Sequence, residues 1–157
     1  MSDMLVCLMN LPDVSREVGR LSEAGITIRK PHPWDCTPLR AFVTTQFSDG
    51  WADEINMAFA SQPPTCYIAT SQKKIIGFAG FECTARDYFG PTGVDPAYRG
   101  RGIGKVLLVK SLQSLREMGY VYAVIGAVGP TDFYAKHVGA IVIPNSVPGV
   151  YIDSLER

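Results

Sequence analysis

A chain of 157 residues is sized for one domain, and a domain of about 150 residues buries roughly 68–70% of the surface its unfolded chain would expose, so its core needs no staples. Lysine plus arginine number 15 and aspartate plus glutamate number 15, a balance that argues against nucleic acid or an anionic membrane as the general partner. The apolar fraction of 46% excludes a disordered chain, and no apolar run approaches the ~18–20 residues of a membrane span.

The start Met1-Ser2-Asp3-Met4 has no basic region before its short apolar stretch, so the expectation is a cytoplasmic protein without a secretory signal. Cys7, Cys36, Cys66 and Cys83 show no CxxC spacing and suggest neither a disulfide framework nor a metal site.

Leu5 to Asn10 reads as a short strand. Leu11, Val14, Val18 and Leu21 then recur at three- and four-residue steps, as on an amphipathic helix ending near Gly25. Ile26 to Arg29 alternates like a strand. Thr37-Pro38 suits an N-cap and first helical residue, opening a helix through Phe42 to about Phe47. Ser48-Asp49-Gly50 breaks it, and a second helix is expected from Trp51 to Ala60. Asp49, Trp51, Asp53 and Glu54 gather at that break, where carboxylates serve either as helix caps or as part of a pocket for a cation.

Strands follow at Cys66–Thr70 and Ile75–Cys83, joined by a polar turn. The next strand, Tyr88 to Val94, is unusual because it contains Gly90, Pro91 and Gly93, which favour a bulge or a close backbone approach. After it comes Tyr98-Arg99-Gly100-Arg101-Gly102-Ile103-Gly104-Lys105, and then a helix whose buried face is Ile103, Leu107, Leu108, Leu112 and Leu115 and whose end is Gly119. Tyr120 to Ile125 is apolar without alternation, as in a strand covered on both faces. Strand, glycine-rich turn, helix and strand make a parallel crossover unit. A short helix over residues 130–137 and closing strands at Ala140–Ile143 and Val150–Ile152 complete the chain.

A glycine-rich turn that opens a helix is suited to an anion, because free backbone N–H groups and the positive helix end face the same point. The dinucleotide pattern GxGxxG starting at Gly100 would need glycine where Lys105 stands. The phosphate loop GxxxxGK[ST] would need glycine at Arg99 and a hydroxyl at Val106. From Arg99 to Arg116 the charged residues are all basic, with no acid before Glu117.

The pattern that does fit is R-x-x-G-x-G, as Arg99, Gly102 and Gly104, preceded by Val94-Asp95-Pro96-x-Tyr98 and followed by Val106-Leu107-Leu108. This closely resembles the acyl-CoA loop of the GNAT superfamily of N-acyltransferases. A second likeness lies in Phe133-Tyr134-Ala135-Lys136-His137-Val138-Gly139-Ala140, which is similar to the family's late helix. The resemblance covers roughly residues 26–152, with residues 1–25 as a strand-and-helix extension of a single domain. It implies an α/β GNAT fold: a mixed central sheet flanked by helices, with parallel strands splayed at the acyl-CoA site.

The resemblance also implies acetyl-CoA as co-substrate and a primary amine, on a small molecule or a peptide, as acceptor. By position, Thr92, Gly93 and Val94 fall beside the pantetheine arm, and Arg99, Gly100, Arg101, Gly102, Ile103, Gly104 and Lys105 fall on the loop that holds its phosphates. Tyr134 takes the role of protonating the departing thiolate. Many relatives carry a glutamate base on the strand before the loop; with no acid between Tyr88 and Val94, Glu82 is the preferred substitute and Asp87 the second, the alternative being loss of the proton to water with no dedicated base. Where many relatives have an asparagine, this sequence has Ala127. A non-catalytic acyl-CoA sensor or scaffold of the same fold stands as the alternative, and the N-terminal helix is open to being a cap on the core or a homodimer contact.

Overall fold

A computed structural model describes residues 1–156. Seven strands form one sheet in the order β2-β3-β4-β5-β6-β1-β7. They are β1 (Met4–Cys7), β2 (Ile26–Arg29), β3 (Cys66–Ser71), β4 (Lys74–Phe81), β5 (Tyr88–Val94), β6 (Tyr122–Ile125) and β7 (Ile141–Val142). The helices are α1 (Ser15–Glu23), α2 (Cys36–Gln46), α3 (Asp49–Asn56), α4 (Ile103–Glu117) and α5 (Thr131–Val138). Every described pairing is antiparallel except β5 with β6. The sheet is therefore mixed, and the parallel pair flanks the crossover through α4.

Helix α4 is the main body of the core. Ile103, Val106, Leu107, Leu108, Leu112 and Leu115 are buried on it, and they pack against Met4 and Val6 of β1, Phe81 of β4 and Ile125 of β6. A second cluster on the other face joins Leu39 and Val43 of α2 and Ile55 of α3 to Ile68 and Phe78 of the sheet. Strand β4 lies between the two clusters, so six consecutive residues from Ile76 to Phe81 are buried.

The strand covered on both faces is thus β4, and the expectation that β6 would be so is corrected. On β6, Ala123 and Ile125 turn to the α4 cluster, while Tyr122 on the opposite face is 53% exposed. Other local readings shift for identifiable reasons. Helix α2 starts at Cys36 rather than Pro38, because a 3-10 turn at Pro33–Asp35 already supplies the first bends. Asp35 in that turn is bound by Arg29 at 2.8 Å. Helix α3 starts at Asp49, because the Ser48 hydroxyl accepts the Trp51 N–H at 3.1 Å and caps it. Val150 and Tyr151 lie in a 3-10 turn (Gly149–Tyr151) that Ile152 caps, so the expected closing strand at Val150–Ile152 is corrected.

The N-terminal segment is woven into the sheet. Strand β1 sits between β6 and β7 and pairs antiparallel with both. The Lys105 ammonium of α4 meets the Glu17 carboxylate of α1 at 2.9 Å.

Truncating the α4 stripe checks this account of the core. Leu112→Ala empties a fully buried site and is expected to cost about 2–5 kcal/mol, read as a lower denaturant midpoint in equilibrium unfolding.

Candidate acyl-donor groove and acceptor site

The parallel contact between β5 and β6 is only two residue pairs long, Tyr88 with Val124 and Phe89 with Ile125. Beyond it the strands part. On the β5 side, the Gly90–Pro91 pair lies in a bulge: the register steps from Phe81–Phe89 to Ala79–Thr92, so the longer run is on β5. On the β6 side, Ala127 takes a left-handed turn (φ 46°), and its N–H is bound by the Asp3 carboxylate at 2.8 Å. The Val128 N–H goes to the Ser2 carbonyl at 2.8 Å. The chain leaving β6 is thus drawn toward the N-terminal segment and away from β5.

The parting leaves backbone groups of β5 without a strand partner. Ladder bonds to one neighbour recur on alternate residues. The Asp95 N–H bonds to the Ile76 carbonyl at 2.8 Å, so the N–H groups of Val94 and Thr92 aim the other way, into the gap. Gly93 serves a different purpose from the bulge foreseen for it. A Cβ there would lie 2.3 Å from the Phe47 ring, so the missing side chain lets Phe47 close over the strand.

A groove of about 1910 Å³ occupies the gap, lined by Thr92, Gly93 and Val94 on one wall and Gly126 to Pro130 on the other. At one end lies the glycine-rich turn. Gly100 (φ 77°) and Gly102 (φ 87°) take left-handed conformations that favour glycine. Gly102 is the N-cap of α4 and offers no capping side chain, so the first-turn N–H groups of Ile103, Gly104 and Lys105 are left to face the groove. A Cβ on Gly104 would meet Phe133 and Val94 only at ordinary contact, 3.7 and 3.9 Å; its smallness keeps the groove open.

Around that end basic residues outnumber acids: Arg20, Arg99, Lys105 and Lys136 line the groove with Glu17, which pairs with Lys105. The Arg99 Nε donates to the Val94 carbonyl at 3.1 Å. Arg101 does not line the groove; its guanidinium lies 4.9 Å from the centre of the Tyr98 ring. The sequence reading missed Arg20, whose guanidinium donates to the Arg101 carbonyl at 3.4 Å, because nothing near residue 20 signals a loop eighty residues away.

Tyr134 lines the groove on α5. It is 7% exposed, with its ring edge-on to Phe89 and Phe133. Burial pushes its phenol up to about 12, which keeps the proton on it at neutral pH. Glu82 lies elsewhere. Its Oε1 accepts the Asp87 N–H at 2.7 Å, in the loop between β4 and β5, and neither carboxylate lines the groove. Beyond Tyr134, the groove is bounded by Trp51, Asp53 and Glu54 of α3 and by Val147, Pro148, Tyr151 and Leu155 near the chain end. Asp49 does not reach it. The four cysteines are free thiols, and among the described residues no cluster of His, Cys, Asp and Glu could hold a metal ion.

A family model for the acetyltransferase (GNAT) domain matches residues 62–137. That segment, just under half of the chain, is similar to GNAT acetyltransferase domains. A mycothiol acetyltransferase of Rhodococcus erythropolis is 27% identical over 110 residues, covering 69% of this chain and 36% of that relative. The chain thus spans about a third of the length of the curated relative it matches. Among solved structures, a GCN5-related N-acetyltransferase from Sphaerobacter thermophilus has a TM-score of 0.69 at 20% identity, over 90% of this chain and 48% of that one. A Mycobacterium tuberculosis protein solved in complex with CoA has a TM-score of 0.50 at 20% identity, over 71% of this chain and 69% of that one. The mixed sheet and its flanking helices are those of the GNAT fold.

The loop carboxylates give a pH prediction. Burial, and then the neighbouring Glu82, push Asp87 up to about 6 from the usual 3.8, and its Oδ1 is buried without a partner among the described residues. The folded state therefore holds this proton more tightly than the unfolded chain, and stability from this group falls as pH rises from about 4 to about 6. Asp87→Asn is expected to raise the melting temperature at pH 7–8, with the gain vanishing toward pH 4, as thermal melts across pH would record.

Proposed function

We propose that this domain transfers an acetyl group from acetyl-CoA to a primary amine. The observation that carries the reading is the continuous groove from the uncapped start of α4, through the β5–β6 gap, to Tyr134. That path matches a long ligand with an anionic end, an amide-bearing arm and a reactive tip. The α4 amides and the Arg20 and Arg99 charges suit phosphates, Lys105 being paired with Glu17, and the amides dominate because each charge at a helix end is worth only ~0.3–1 kcal/mol. The Thr92 and Val94 N–H groups suit the arm, which would add to β5 as a strand does. The match to the GNAT domain model and the neighbour solved with CoA support the same ligand.

Acetyl-CoA supplies the electrophilic thioester carbonyl. Tyr134 holds a phenolic proton at neutral pH and lends it to the departing thiolate, a contribution typically of 10²–10⁴-fold. The Phe89 and Phe133 rings exclude water around that phenol. A non-catalytic sensor would keep the loop but have no use for this proton.

Two substitutions separate the parts of the proposal. Gly102→Val forces a side chain into a left-handed position already 2.9 Å from the Arg20 guanidinium, and calorimetry is expected to record loss of CoA binding; retained affinity contradicts the loop assignment. Tyr134→Phe is expected to lower kcat by about 10²-fold or more with CoA affinity unchanged, measured as thiol release from acetyl-CoA. An unchanged rate removes the tyrosine from the mechanism.

A further inference from the structure

We infer that Glu54 receives the acceptor's ammonium group and takes its proton, and that the acceptor is a primary amine on an apolar body. This rests on the acetyltransferase reading above and names the acceptor half of the same groove.

Three separate segments converge on this carboxylate. Glu54 projects from α3, and its Oε2 accepts a hydrogen bond from the Thr84 hydroxyl in the β4–β5 loop. The Tyr151 hydroxyl, more than ninety residues away, donates to Oε1 and Oε2 at 3.1 and 3.3 Å. Burial and then Glu54 itself push the Tyr151 phenol up to about 12, so Tyr151 stays a donor at neutral pH. Both partners are neutral. They orient the carboxylate without cancelling its charge, and among the described residues no Lys, Arg or His forms an ion pair with Glu54.

A half-buried carboxylate in a groove, oriented yet without a countercharge, is suited to a cation. The cationic side chains of the groove are those of the loop end, Arg20, Arg99, Lys105 and Lys136, whereas Asp53, Glu54 and Glu156 supply its acids together with Glu17, which Lys105 neutralises. The α3 and chain-end lining sets apolar side chains, Phe47, Trp51, Val147, Pro148 and Leu155, beside the polar Asp53, Ser154 and Glu156. The Phe47 and Trp51 rings stack at 5.3 Å. The five apolar side chains favour a hydrocarbon or aromatic body, which they can take out of water without stranding a polar group.

The proton balance closes. The ammonium gives one proton to Glu54, and the freed lone pair forms the C–N bond as the C–S bond breaks. The thiolate takes the Tyr134 proton, and the second proton shed by the new amide nitrogen restores Tyr134 through solvent. The net products are an amide, a thiol and one proton. Thr84 and Tyr151 act through their hydrogen bonds to the Glu54 carboxylate and are positioning residues.

The test measures thiol release from acetyl-CoA with phenethylamine, glucosamine and a lysine-containing peptide, using the wild-type chain and Glu54→Gln. The expected result is highest kcat/KM for phenethylamine. Glu54→Gln should lower it about 10²–10⁴-fold at neutral pH, with substantial recovery in alkaline buffer where the free amine predominates. Unchanged thermal stabilisation of Glu54→Gln by CoA would confirm that the variant is folded with its donor site intact. A wild-type chain active on amines but insensitive to Glu54→Gln, or a loss that alkaline buffer does not relieve, overturns the role of Glu54 and leaves the acetyltransferase reading standing. Preference for glucosamine overturns the apolar-body assignment. No thiol release with any of the amines overturns this inference and the acetyltransferase reading together.

Discussion

Everything functional in this molecule depends on two neighbouring strands failing to stay together. After two residue pairs, β5 and β6 separate, and the backbone of β5 from Gly90 to Val94 is left with one strand partner instead of two. An unpaired strand edge inside a sheet is costly unless something bonds to it, because its polar groups keep their need for partners. Here that need is turned toward a groove. The same opening lets the start of α4 face a ligand, since the turn that leads into the helix lies at the end of β5.

The separation is enforced from both sides. On β5 the bulge at Gly90–Pro91 shifts the register, and proline removes one N–H that a ladder would have used. On β6 the pull comes from Asp3, which is buried and binds the Ala127 N–H. The Asp3 N–H is bonded to the Ser146 hydroxyl at 2.9 Å, and its carbonyl accepts the Ile143 N–H at 2.9 Å. One residue near the N-terminus thus ties together the chain after β6 and the chain after β7. The N-terminal segment is accordingly part of the site: β1 completes the sheet beside β6, and α1 supplies Arg20 to the loop and Glu17 to Lys105.

Much of the proposed donor half was legible in the sequence because its determinants are local. Glycines at 100 and 102 are needed where φ is positive, and a helix start, a strand end and the loop between them occupy one short stretch. The place of Tyr134 on the groove was legible for the same reason, within a short motif. The acceptor half was less so. Glu54 stood out only as one of several acids near a helix break, where capping was the favoured explanation. What separates it from Asp49 is Tyr151 and Thr84, and no spacing connects residues 54, 84 and 151. Glu82 illustrates the converse: it follows β4 in sequence, yet its side chain turns back to the Asp87 N–H.

Taken alone, the sequence determined the periodic elements, the crossover from β5 through α4 to β6, and the glycine turn with its basic surplus, since each follows from spacing within a few residues. Tertiary structure decided where those pieces face. It placed β1 in the sheet, covered β4 rather than β6 on both sides, and opened β5 from β6 through a contact from Asp3 to Ala127. It also gathered Glu54, Thr84 and Tyr151 at the far end of the groove. Hydrogen bonds between distant segments leave no periodic trace in a sequence, because their partners are matched by the path of the folded chain.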